Sequence, residues 1–265
     1  MWLPRSVRQS LSSRYDSVRQ SLANRYDIPL YKKTQVEFLR TCCGIASREI
    51  KILSGLYDPL TLLAAKYKSD KGVTIYPFHG YTVHYAKLFK KFKDEPINIL
   101  EIGLAKPTQR HALGMVCPSL SMWRDYFPNA NVYGFDIDDF STVELPRVKI
   151  FRGDQGSVED LLTVVAQCPR FDVIIDDGSH ASYHQQVSLK TLFPFLAPDG
   201  LYIIEDLQWQ PPEIEASLPS VGKTRELLKN KSELERIIAG VQEVLFFESF
   251  NDRRKEAPFA IIVKK

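Results

Sequence analysis

Between residues 97 and 206 the chain alternates short apolar runs with stretches of helical spacing, and five of the apolar runs end in an acid or lead straight into one. The runs are 97–102, 131–136, 147–152, 171–175 and 200–204. Helical spacing fills 119–127, 158–167 and 180–193, with Ser157 as a candidate N-cap and Pro194 and Pro198 as stops. Strands separated by helices pair in parallel, and a parallel sheet must be covered on both faces. The expectation is an α/β protein with a doubly wound, mostly parallel sheet. Two later runs, 241–247 and 258–263, read as a hairpin across 251–256 and bring the expected sheet to seven strands.

Ahead of the sheet lies a region of different character. Ser6-Val-Arg-Gln-Ser-Leu-Ser-Ser-Arg-Tyr-Asp16 is followed at once by Ser17-Val-Arg-Gln-Ser-Leu-Ala-Asn-Arg-Tyr-Asp27. An eleven-residue period closes three helical turns, so Val7, Leu11, Val18 and Leu22 share a stripe flanked by Arg8, Arg14, Arg19 and Arg25. A basic amphipathic helix on an anionic membrane surface, or against a partner helix, is one reading. A duplicated extension without a surface role is preferred, because the stripe is narrow and aspartates interrupt the charge. An Arg- and Ser-rich transit peptide is the third. The spacing over 35–67 is helical, with Pro59 opening a last helix, and 80–92 reads as an amphipathic helix leading into the sheet. The division expected is a helical extension over 1–68 and a catalytic domain over 69–265.

Composition excludes several classes. Apolar residues at 44% and charged residues at 25% of 265 are enough to build a core, so wholesale disorder is not expected. A net charge of +3 calls for no nucleic-acid partner. No apolar run approaches the ~20 residues needed to span a bilayer, and no apolar signal core opens the chain. Cys42, Cys43, Cys117 and Cys168 have neither zinc-finger nor CxxC spacing, which fits a reduced, cytoplasmic protein.

In open parallel sheets ligands bind beyond the carboxyl ends of the strands. There the chain carries Glu101, Asp136, Asp154, Asp176, Asp177, Glu205 and Asp206. Each alone reads as a cap or a solvated loop acid. Together they repel, and a bound cation relieves that cost. An acid such as Asp136 at the end of the second strand suits the two hydroxyls of a ribose. The loop from Gly103 to Gly114 lacks the second glycine of G-x-G-x-x-G, which argues against a dinucleotide pyrophosphate. Asp177-Gly-Ser-His180 and Glu205-Asp206 end consecutive strands and offer hard oxygen ligands suited to Mg²⁺, Mn²⁺ or Ca²⁺. His180 lies close enough in sequence to serve as a general base near neutral pH. His184, one turn on, reads as an ordinary helix residue.

Taken as a set, Ser69-Asp-Lys-Gly72, His79-Gly-Tyr-Thr82, Ile99-Leu-Glu-Ile-Gly103, Pro118-Ser-Leu-Ser-Met-Trp123, Tyr126-Phe-Pro128, Tyr133-Gly-Phe-Asp136, Gly153-Asp-Gln155, Asp176-Asp-Gly-Ser-His180 and Tyr202-Ile-Ile-Glu-Asp206 resemble the metal-dependent sugar O-methyltransferases of macrolide biosynthesis, such as the mycinamicin and macrocin enzymes. These belong to the class I S-adenosylmethionine-dependent superfamily. The likeness covers about residues 69–209. It implies Asp177, Glu205 and Asp206 as Mg²⁺ ligands, His180 as general base, and Gly103, Asp136, Asp154 and Gln155 in the S-adenosylmethionine site, with Glu101 and Asp176 counted beside them. The acceptor implied is a hydroxyl of a sugar or glycosylated small molecule. The glycine-poor loop after Gly103 departs from the family where the cofactor would bind, and the N-terminal repeat and the region beyond Trp209 depart from it too and are expected to shape the acceptor pocket or homo-oligomer contacts. Two rivals stay open: a non-catalytic scaffold that keeps the fold, and a metal-dependent hydrolase or hydroxylase using His180 and His184.

Overall fold

The computed structural model describes residues 58–72, 79–104, 117–207, 209–247 and 259–265. The tandem repeat, with its amphipathic-helix and transit-peptide readings, lies outside these residues. So do most of 35–67, the connection 251–256 and the glycine-poor loop past Leu104.

Seven strands make one sheet in the order β3-β2-β1-β4-β5-β7-β6. They are β1 Asn98–Ile102, β2 Asn131–Asp136, β3 Val148–Arg152, β4 Phe171–Asp176, β5 Leu196–Ile204, β6 Val241–Phe247 and β7 Phe259–Lys264. β1 to β5 are mutually parallel, while β7 runs antiparallel to both β5 and β6. The sheet is therefore mixed rather than purely parallel. The chain between β6 and β7 is shorter than the roughly dozen residues a parallel crossover needs, so reversal is the available pairing.

The described helices are α1 Pro59–Tyr67, α2 Thr82–Leu88, α3 Pro118–Tyr126, α4 Val158–Gln167, α5 Ser182–Leu192, α6 Pro212–Ser217, α7 Thr224–Lys229 and α8 Lys231–Ile237. Their starts follow from local chemistry. Asp58 accepts from the amides of Leu60 and Thr61 while Pro59 occupies the first turn, where its missing N–H costs nothing. Ser157 accepts from Asp160 N, as its sequence position predicts. Leu161, Val164 and Val165 of α4 are buried while Leu162 faces solvent, the stripe expected of a helix laid on a sheet.

Period-two alternation divides the core in two. Ile99, Val132, Val173, Ile175, Leu201 and Ile203 point to one face, where α1, α2 and α3 pack. Leu100, Ile102, Phe135, Ile174, Tyr202 and Ile204 point to the other, under α4, α5, α7 and α8. On the first face Tyr85, Phe89, Trp123 and Phe127 form a chain of ring contacts, with centroids 5.2 to 6.5 Å apart. Burying each such ring stabilises the fold by about 1.5–3 kcal/mol, against a net 0.5–1.5 kcal/mol for a typical hydrogen bond. Packing, more than polar contact, holds this helical layer over the sheet. The last helix of the expected N-terminal extension, α1, is part of that layer.

Two expectations need correction. The helix expected from His180 begins at Ser182, because His180 sits at φ 61°, outside the right-handed helical region. β5 starts at Leu196 rather than 200: its register against β4 shifts, leaving Pro198 and Asp199 exposed, so Pro198 removes no ladder hydrogen bond from the sheet interior. The three short helices after Trp209 carried no clear periodic signal, being only six or seven residues each. No described helix is long and apolar enough to cross a membrane.

Candidate active site

The parallel strands deliver their acids to one edge, and strand alternation then separates them by face. Glu101 lies on the face of Ile99, and Glu205 on that of Ile203, under the helical layer. Asp176 lies on the opposite face. Glu101 and Asp176 have no exposed surface, and the protein's own donors engage both. Trp123 Nε1 donates to Glu101 Oε2 at 3.1 Å, and burial pushes Glu101 up to about 7. Gln155 Nε2 donates to Asp176 Oδ1 at 2.7 Å and Ser188 Oγ donates to Oδ2; burial raises this carboxyl too.

Beyond β4 the loop Asp177–His180 is tied at both ends. Asp177 N donates to Ile102 O at 2.9 Å, and Ser179 N to Gln155 Oε1 at 3.0 Å. Gly103, at φ 86°, passes so close that an added Cβ would lie 2.1 Å from Asp177 O. Only glycine permits that approach. Asp136 Oδ2 accepts from Leu104 N at 2.6 Å and Oδ1 from Asp138 N at 2.8 Å, which sets the carboxylate beside the start of the Gly103 loop. Asp154 is exposed and accepts from Gly156 N at 2.7 Å.

Asp177, His180 and Asp206 come together, each offering a ligand atom within 4.8 Å of the others'. His180 and Asp206 both have positive φ, 61° and 51°. Non-glycine residues held in that region cost about 1–3 kcal/mol each and cluster where function demands a particular aim. His180 Nε2 is 3.9 Å from Asp206 Oδ2, its Nδ1 is buried without a hydrogen bond, and its ring is 5.4 Å from that of Trp209, which is 53% exposed. Burial works against the Asp206 carboxylate, but His79, His180 and the Tyr81 hydroxyl outweigh it and hold the group below its ordinary range. Two carboxylates and an imidazole make a donor set that fits a divalent cation such as Mg²⁺ or Mn²⁺.

Glu205 stands behind this group. Tyr85 donates to its Oε1 at 2.6 Å, and Lys71 to its Oε2 at 2.8 Å. Tyr81 donates to Asp206 Oδ1 at 2.6 Å. Burial, then the adjacent carboxylates, push both tyrosines well above their ordinary range, so both stay protonated as donors. Sequence reasoning did not assign roles to Lys71, Tyr81 or Tyr85. Lys71 and Tyr81 do lie in motifs of the family resemblance, and the tyrosines have i, i+4 spacing, but neither signal says which acid each would meet. His184 accordingly turns away: its Nδ1 is 2.7 Å from Ser179 Oγ. With His180 off the helix, the two imidazoles do not share a helical face, which removes the basis for a two-histidine hydrolase site.

Strand order, the reversed β7 and the acid-lined carboxyl edge define the class as a Rossmann-like methyltransferase fold. The chain superposes on the MycE methyltransferase from the mycinamycin biosynthetic pathway, solved in complex with Mg, SAH and mycinamycin VI, with TM-score 0.62 and 26% identity over 89% of this chain and 64% of that one. Within that class, the curated relatives are sugar O-methyltransferases. The chain is 38% identical over 129 residues to mycinamicin VI 2''-O-methyltransferase of Micromonospora griseorubida, covering 49% of this chain and 32% of that enzyme. It is 40% identical over 146 residues to 8-demethyl-8-alpha-L-rhamnosyl tetracenomycin-C 2'-O-methyltransferase of Streptomyces olivaceus, covering 55% and 37%. The chain spans about a third of the length of the curated relatives it matches. No family model matches it.

Proposed function

We propose that this chain catalyses transfer of a methyl group from S-adenosylmethionine to a sugar hydroxyl of a glycosylated small molecule, with a divalent cation, most simply Mg²⁺, at the carboxyl ends of β4 and β5. The observation that carries the reading is the convergence of Asp177, His180 and Asp206, with both His180 and Asp206 in strained backbone conformations, at the edge where Gly103 and Asp136 meet. The curated relatives, O-methyltransferases of mycinamicin VI and of a rhamnosyl tetracenomycin-C, support the acceptor class.

In this reading Asp177, Glu205 and Asp206 hold the cation, and Glu205 does so while shared with Lys71 and Tyr85. When bound, the cation supplies positive charge that lowers the pKa of a nearby hydroxyl. The remaining work falls to the protein. Asp136, held in place by the Leu104 and Asp138 amides at the start of the Gly103 loop, takes the ribose hydroxyls. Asp154 and Gln155, on the loop after β3, complete the cofactor site in this reading. His180 takes the acceptor proton. Its left-handed backbone takes the residue off the start of α5 and sets it beside Asp177 and Asp206, and no hydrogen bond occupies Nδ1. Trp209 presents an exposed ring beside it, a surface on which the C–H face of a sugar can stack. The sulfonium methyl is already electrophilic, so alignment supplies most of the remaining acceleration.

The test is incubation of the protein with isotopically labelled S-adenosylmethionine and a panel of rhamnosylated polyketides, with and without EDTA, read by mass spectrometry. Label on the sugar that EDTA abolishes and Mg²⁺ restores supports the reading. No label, or label insensitive to EDTA, overturns it. The grouping of His180 with the two aspartates also favours a second role, as a further ligand beside the three carboxylates; a ligand role predicts weakened cation binding in His180→Ala, a base role does not.

A further inference from the structure

Lys71 is 2% exposed and lies among three carboxylates from three adjacent strands. Its Nζ contacts Asp177 Oδ2, lies 2.8 Å from Glu205 Oε2 and 3.3 Å from Glu101 Oε1. A lysine is almost never fully buried unless paired, and here the pairing is threefold. Its backbone is fixed with equal care. The left-handed Lys68 ends α1 and turns the chain inward. Lys71 O accepts from Thr82 N at 3.1 Å, and the neighbouring Gly72 O accepts from Gly80 N at 2.9 Å. An added Cβ on Gly72 would lie 2.8 Å from Ala64 Cβ, so the turn is also packed tightly against α1. This lysine enters from outside the sheet, yet it touches two of the three carboxylates that the proposed function assigns to the cation.

Resting on that reading, we propose that Lys71 is a positioning residue for the acid cluster: a resident counter-ion that holds Asp177 and Glu205 in place when no divalent cation is bound, and that competes with the cation for the same two carboxylates. The argument is electrostatic. Without any cation the grouped carboxylates would repel one another in a site largely shielded from water. The ammonium offsets that repulsion and pre-shapes the site. The same positive charge, a few ångströms from where the divalent ion would sit, weakens its binding and keeps it reversible.

The test compares the wild type with Lys71→Met, which keeps length and loses charge, using Mn²⁺ as probe. Melting temperature is measured in EDTA and in Mn²⁺, and Mn²⁺ affinity by electron paramagnetic resonance. The expected result is a melting temperature about 10 °C lower in EDTA, from a buried charge cluster left without its partner. Mn²⁺ affinity should be about tenfold tighter or more, and the rise in melting temperature on adding Mn²⁺ correspondingly larger. A lysine with a merely structural role would lower both melting temperatures and leave affinity unchanged or weaker, which overturns the proposal. If Lys71→Met folds in neither condition, Lys71→Met combined with Glu205→Gln decides: recovery of folding supports charge balance, and continued failure overturns it. A wild type that binds no Mn²⁺ overturns the cation reading and this inference with it; equal affinity in the two proteins overturns this inference alone.

Discussion

Replacing Gly103 by alanine probes the contact between the first and fourth strand ends on which the whole site is built. At φ 86° the backbone lies where an L-residue is strained, and adopting the left-handed region costs roughly 1–2 kcal/mol. The new Cβ would also lie 2.1 Å from Asp177 O and 2.6 Å from Asp177 C, far inside contact distance, with backbone rather than a movable side chain as the obstacle. Overpacking of that kind adds about 1–3 kcal/mol. The expected loss in stability is therefore about 2–5 kcal/mol by urea denaturation, with cation affinity falling as Asp177 is pushed aside. Gly178→Ala is the control. Its Cβ would meet Gln155 Oε1 at 2.2 Å, but that atom ends a side chain. The cost should follow the displaced Gln155 hydrogen bonds, about 1–3 kcal/mol, and should nearly vanish when Gln155→Ala is already present. No side-chain truncation should rescue Gly103→Ala. A loss below about 1 kcal/mol for Gly103→Ala, or its rescue by Gln155→Ala, would refute the reasoning.

Two further predictions concern turnover. His180→Ala should lower kcat by about 10²–10⁴-fold while calorimetry finds S-adenosylmethionine binding intact; unchanged kcat removes His180 from the proton-transfer role. Trp209→Ala should raise KM for a rhamnosylated acceptor with kcat and cofactor affinity little changed, and Trp209→Phe should recover part of the loss; a selective fall in kcat would place Trp209 outside the acceptor wall.

Local pattern carried far into this fold. β2, α4 and β6 occupy 131–136, 158–167 and 241–247 as their spacing predicts; α4 does so because it buries one periodic stripe behind its Ser157 cap. The acids at the strand ends were legible for the same reason: a parallel sheet sends every carboxyl end to one edge, so reading where strands stop is enough to gather Asp136, Asp177, Glu205 and Asp206. What each acid does there was not legible. Which face it points to depends on the strand's register, and its partner comes from whatever element packs above that face. Glu101 and Glu205 meet Trp123, Tyr85 and Lys71 only because α2, α3 and the turn after α1 lie over the first face. Lys71 is 106 residues from Asp177 and 134 from Glu205 along the chain. Local spacing determined most of the strands and helices and the row of acids; only tertiary packing decided which of those acids gather beside His180 and which meet a buried lysine, because charge pairing at that separation exists only after the two layers have closed on each other.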